Sequence, residues 1–139
     1  MKMFLGEYNP SITEGSRVAL PKKMRDQLAG DSVVLTRGFE RCVYIFDKTD
    51  WQEEAQKYIE NSKVDEKATI RDLERYVFSS ATETSIDSQG RIVIPANLIS
   101  YALIKDNTAI IGVGNRIELW EKEEWEKHYA QISAELTAN

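Results

Sequence analysis

Two arginines, Arg17 and Arg91, each follow a polar turn, Thr13-Glu14-Gly15-Ser16 and Asp87-Ser88-Gln89-Gly90, and each opens an apolar run, Val18-Ala19-Leu20 and Ile92-Val93-Ile94. A guanidinium at the mouth of a turn offers a planar fork of N–H donors that matches phosphate or the O6/N7 edge of guanine. A lone surface arginine more often makes only a screened ion pair of about 0–1 kcal/mol. Here the same residue recurs in equivalent settings, which favours nucleic-acid contact. Asp87, four residues ahead of Arg91 across the turn, is placed to orient that guanidinium. Lys22, Lys23 and Arg25 follow Pro21 in the first turn of a short helix, where backbone N–H groups and cations together can hold phosphates. An ordinary solvated face is the plainer reading of such a run. Asn97, after Pro95, offers hydrogen-bonding capacity in the second half. Arg37 and Arg41 flank a later turn and read as packing or subunit contacts.

Enzyme chemistry finds little footing. His128 is the single histidine and lies beside Glu124 and Glu126 in a charged helix, a solvated setting. Cys42 begins the apolar run Val43-Tyr44-Ile45-Phe46 and reads as a small core residue rather than a nucleophile. There is no metal-spaced His/Cys cluster, no phosphate-binding G-x-x-x-x-G-K-[ST] loop and no serine with a plausible base. No cofactor, metal or small-molecule substrate is expected.

The chain has 139 residues and a net charge of -5, which at first argues against a polyanionic partner. Distribution matters more than the sum. Arg17, Lys22, Lys23, Arg25, Arg37 and Arg41 face only Asp26, Asp31 and Glu40 in that stretch, whereas Glu118, Glu121, Glu123, Glu124, Glu126 and Glu135 crowd the end against Lys122 and Lys127. No apolar stretch approaches the roughly 20 residues of a membrane span, and the start lacks a secretory apolar region. With its lone cysteine, the chain reads as cytoplasmic, without a membrane partner.

The elements that must carry these residues are repeated. A shift of 74 residues, taken without a gap, lays Phe4 on Phe78, Ser11 on Ser85, Ile12 on Ile86, Arg17 on Arg91, Pro21 on Pro95, Gly38 on Gly112, Lys48 on Lys122 and Trp51 on Trp125. Each half reads as an extended segment (Met3 to Ile12, Val77 to Ile86) forming a hairpin with the arginine run, then a proline-initiated short helix (Lys22 to Leu28, Ala96 to Leu103). A second hairpin follows, Ser32 to Thr36 with Cys42 to Phe46, or Ala109 to Gly112 with Ile117 to Trp120. Asp50 and Glu53 suggest a capping box before a helix carrying Trp51, Ala55, Tyr58 and Ile59. A helix is expected over Glu66 to Ser79, and a last one over Lys122 to Leu136, with Trp125, Tyr129, Ile132 and Leu136 as its core stripe. The division is residues 1–61 as first module, 62–76 as helical connection and 77–139 as second module with the C-terminal helix.

The phrase Asp87-Ser88-Gln89-Gly90-Arg91-Ile92-Val93-Ile94-Pro95-Ala96-Asn97-Leu98 resembles the D-x-K-G-R-[apolar]3-P-x-x-L signature of the MraZ family, within the AbrB-like swapped-hairpin DNA-binding proteins. The opening Met3-Phe4-Leu5-Gly6-Glu7-Tyr8 and the segment Leu35 to Val43 also look like that family. The resemblance covers almost the whole chain. It implies an α+β fold in which two tandem swapped-hairpin modules form one pseudo-twofold β-barrel with flanking helices. It also implies a nucleoid-associated transcription regulator, binding short direct repeats in double-stranded DNA upstream of its own cell-division and cell-wall operon, as an octameric or dodecameric ring. Departures are Thr13 for the aspartate and Gly15-Ser16 for lysine-glycine in the first copy, and Gln89 for lysine and Ile99 for arginine in the second. An antitoxin-like or scaffold protein of the same fold is the alternative; such antitoxins usually carry one module and a disordered acidic tail, against the helical end expected here.

Overall fold

The computed structural model describes residues 2–62 and 67–138. In chain order the elements are β1 (Glu7–Tyr8), β2 (Arg17–Ala19), α1 (Lys22–Arg25), β3 (Ser32–Arg37), β4 (Val43–Asp47), α2 (Trp51–Glu60), α3 (Lys67–Phe78), β5 (Thr82–Ser85), β6 (Arg91–Val93), α4 (Ala96–Tyr101), β7 (Thr108–Gly112), β8 (Ile117–Glu121) and α5 (Lys122–Thr137). The fold is α+β, its sheets antiparallel.

The run Cys42 to Phe46 is apolar without interruption because β4 is covered on both faces. Val43 and Ile45 point into one cluster with Val18, Leu20, Ile92, Ile94, Ile117 and Leu119. Cys42, Tyr44 and Phe46 point into the other, with Ala55, Ile59, Val77 and Trp120. The sheet thus lies between the β2–β6 ribbon with α1 and α4 on one side and α2, α3 and α5 on the other.

The two halves exchange strands. The six-stranded sheet runs β1-β7-β8-β4-β3-β5, so each half's first strand completes the other half's hairpin. β2 pairs with β6 and not with its own preceding segment, whose backbone pairing to it among the described residues is limited to the Thr13–Arg17 bridge. The expected hairpin within each half is therefore replaced by a ribbon between halves. Tyr44 stands opposite Glu118, and Val18 opposite Ile92. Each of these pairs joins a residue to its repeat equivalent, which marks an approximate twofold axis.

A closed barrel does not form: β1 and β5 are the edges of an open sheet, and β2–β6 is a separate ladder. The ribbon strands are three residues long and stop at Pro21 and Pro95, which have no N–H to donate, so the ribbon meets the sheet through side chains. The gapless alignment also slips. Val33 pairs with Asp47 and Thr108 with Glu121; Asp47 and Glu121 lie 74 residues apart but Val33 and Thr108 lie 75. One extra residue before β7 is recovered in a shorter β7–β8 turn, so Gly38 and Gly112 are not structural equivalents.

Several local expectations change with context. Val77 and Phe78 end α3 and are helical, not extended like Met3 and Phe4; the expected helix start at Glu66 lies outside the described residues. Asp50 precedes α2 but its side chain makes no capping bond, because its carboxylate accepts from Lys2 Nζ at 2.8 Å. The α5 stripe is not core. Trp125 packs against Trp120, but Tyr129 is 55% and Leu136 80% exposed.

Candidate nucleic-acid interface

The three-residue ribbon decides where the arginines go. Val18 and Ile92 sit opposite each other and fill the core, so strand alternation turns Arg17, Ala19, Arg91 and Val93 to the outer face. Arg17 lies opposite Val93 and Arg91 opposite Ala19. The arginines are diagonal neighbours, their backbones about 7–8 Å apart. Neither is buried.

The two turns hold their arginines differently. In the second, Arg91 Nε donates to Asp87 Oδ2 at 2.9 Å, while Asp87 Oδ1 accepts from the Gln89 and Arg91 backbone N–H groups, each at 2.9 Å. The Arg91 N–H, with the Gln89 N–H and the guanidinium, holds the Asp87 carboxyl below the ordinary carboxylate range. In the first turn Thr13 replaces the acid. Arg17 Nη1 donates instead to the Glu14 carbonyl at 3.0 Å, a neutral and more easily surrendered partner. Both turns need left-handed backbone at their last residue: Gly90 has φ 79° and Ser16 φ 57°. Gly90 has a second reason to lack a side chain, since a Cβ there would lie 2.6 Å from Arg25 Cζ.

That close approach reassigns Arg25. Its Nε donates to the Leu20 carbonyl at 3.0 Å, and the Leu20 N–H donates to the Gly90 carbonyl at 2.9 Å. Arg25 therefore belongs with the second turn although it is encoded in the first half. The mirror position is filled by α4, which follows the strand whose Ile94 N–H donates to the Ser16 carbonyl; there Ile99 takes the place of an arginine. Lys22 is tied to Asp26 at 2.9 Å on the surface. Lys23 is exposed beside a groove of about 470 Å³ lined by Tyr8, Pro10, Ala19, Leu20 and Pro21. Asn97 is exposed on α4. Sequence reasoning missed Ser16 as a strained turn residue; its alignment with Gly90 was the available signal.

A family model described as "MraZ protein, putative antitoxin-like" matches residues 3–73 and 77–139. The chain belongs to the MraZ family. The protein named transcriptional regulator MraZ in Clostridium tetani is 39% identical over 143 residues, covering 97% of each chain. Those of Alkaliphilus oremlandii and Desulforamulus reducens are 41% and 38% identical, covering 91% and 95% of this chain and 86% and 91% of their own. In this chain the acid-clamped arginine is that of the second turn, and each turn glycine carries a guanidinium: Arg25 of α1 lies over Gly90, and Arg17 lies over Gly15.

Proposed function

We propose that this chain regulates transcription by binding double-stranded DNA through its two arginine turns, without catalysis. The observation that carries the reading is the shared outer face of the β2–β6 ribbon, which sets two guanidiniums side by side on a scaffold narrow enough to enter a major groove. Arg91, held by Asp87, is pre-oriented to pair with a guanine edge. Arg17, held only by a carbonyl, is free to follow a phosphate or a second base. Lys22, Lys23 and Arg25 on one flank and Asn97 on the other supply backbone contacts.

One chain offers two unlike heads and few contacts. Residues 1–61 and 77–139 act as paired modules, and repetition of the chain in an octameric or dodecameric ring, set against short direct repeats upstream of its own operon, raises the effective concentration of each head. The protein works in the cytoplasm on the nucleoid, and the regulated genes are those of cell division and cell-wall synthesis. The test is a titration of the purified protein against the DNA upstream of its gene. Arg17→Ala with Arg91→Ala is expected to weaken binding at least 100-fold with fold and assembly unchanged; equal binding would overturn the turn assignment. The family's antitoxin-like description and the α5 stripe, uncovered among the described residues, favour a protein partner as well.

A further inference from the structure

The α5 face and a second patch, remote from the turns, complement each other. On the first-half helix α2, Ala55 and Ile59 are fully buried, and Ile70, Leu73 and Val77 of α3 pack into the same cluster. Among the described residues α5 has no such cover. Its stripe runs on from Trp125 through Tyr129, Ile132 and Leu136, flanked by Glu126 on one side and by Glu124 and Glu135 on the other. Lys127 lies 3.6 Å from Glu124, while Glu126 and Glu135 have no ion-pair partner among the described residues.

The second patch is basic and aromatic. Arg37 lies 5.5 Å above the Tyr76 ring and donates to the Tyr76 carbonyl, and Arg41 lies 5.2 Å above the Tyr101 ring. The two tyrosine hydroxyls bond to each other, and Tyr101 also donates to the Gly38 carbonyl at 2.7 Å. Glu40 and Arg41 have φ 60° and 63°, a left-handed pair that only packing around the turn can hold. Glu40 is exposed beside them, yet neither arginine has a carboxylate at ion-pair distance among the described residues. Arginine and tyrosine fixed in place form the composition that carries most interface energy. The Ile86 N–H bonds to Asp31 just before β3, so the Asp87 turn lies about six residues, or roughly 20 Å, along that strand from the Arg37 end. Tyr101 ends α4 one helical turn beyond Asn97, so the patch adjoins that flank of the proposed DNA face while lying away from the Asp87 turn.

We infer that the acidic, apolar face of α5 seats on the Arg37–Arg41–Tyr76–Tyr101 patch of a second copy of this chain, head to tail. Opposite charge selects the partner, and the stripe supplies the apolar area. Such a contact joins unlike surfaces, so it closes into a ring when its rotation allows. It rests on the assembled state proposed above and names the surfaces that build it.

Light scattering of the full chain at micromolar concentration tests it. Tyr129→Asp with Leu136→Asp, and separately Arg41→Glu, should each lower the mass to one chain with unchanged circular dichroism. An equimolar mixture of the two should form a two-chain species and nothing larger, because one variant keeps the helix face and the other the patch. Glu126→Lys with Glu135→Lys, and Arg41→Ala, repeat the two arms should a variant fail to fold. Parent rings that survive both changes, or a mixture that stays at one-chain mass, would overturn the contact alone. A parent chain of one-chain mass would overturn the ring as well.

Discussion

Asp87 and Thr13 occupy equivalent places in the two turns, and the difference sets how each arginine behaves. Asp87→Asn keeps an acceptor for the turn N–H groups but removes the charge that fixes Arg91. A loss of about 5- to 10-fold in DNA affinity is expected from weakening that charged hydrogen bond, measured by titration at fixed salt. The carboxyl sits below its ordinary value, so the clamp is intact above about pH 4 and is lost as the pH falls through that lowered value. The Arg91 Nε–H resonance in NMR should follow that loss. Arg25, seated on Gly90, should couple energetically to Arg91 and not to Arg17. In a double-mutant cycle on DNA affinity, Arg25→Ala with Arg91→Ala should deviate from additivity by about 0.5 kcal/mol or more, and Arg25→Ala with Arg17→Ala should add.

At the scale of elements, short strands depend on what anchors their ends. The N-terminal segment crosses Gly112 so closely that a Cβ there would lie 2.3 Å from the Leu5 backbone nitrogen and 2.4 Å from the Phe4 carbonyl carbon. Gly112→Ala should push β1 off β7 and cost about 1–3 kcal/mol in a denaturant titration, because backbone and not a side-chain tip must move. Asp47 closes the other anchor. Its carboxylate accepts from the Ala29 and Thr49 N–H groups at 2.8 and 3.1 Å and lies 3.2 Å from Lys2 Nζ. Burial pushes its pKa up, but those N–H groups and the ammonium outweigh burial and leave it lowered. Its stabilisation is therefore present above the ordinary aspartate value and lost as the pH falls through the lowered one. Asp47→Asn should flatten that acid limb of stability against pH and cost roughly 1–3 kcal/mol near neutrality.

The whole molecule is held by the exchange between halves, and the ribbon is where both halves meet the core. Ile92→Ala should cost about 2–5 kcal/mol in chemical denaturation and weaken DNA binding at Arg17 as well as Arg91, since one cavity loosens both strands. DNA affinity of the parent should fall steeply between 50 and 200 mM salt if several phosphates are neutralised by the assembly, and more gently once Lys22 and Lys23 are replaced by alanine. Binding that ignores salt would argue against phosphate contacts altogether.

The repeat, the proline-stopped strands, the doubly buried run at Cys42 to Phe46 and the family motif around Arg91 were legible in the residue order, because each depends on local spacing or periodicity. Pairing was not. Nothing local tells β2 to choose β6 over its own neighbour, since an edge of N–H and C=O groups bonds any partner that also buries Val18. The one-residue slip of β7 escaped for the same reason, as did the move of Arg25 to the other half's turn. The stripe on α5 had the correct period, yet periodicity states only that a face is apolar; whether anything in the same chain covers it depends on where the sheet ends, and that is a property of the tertiary structure.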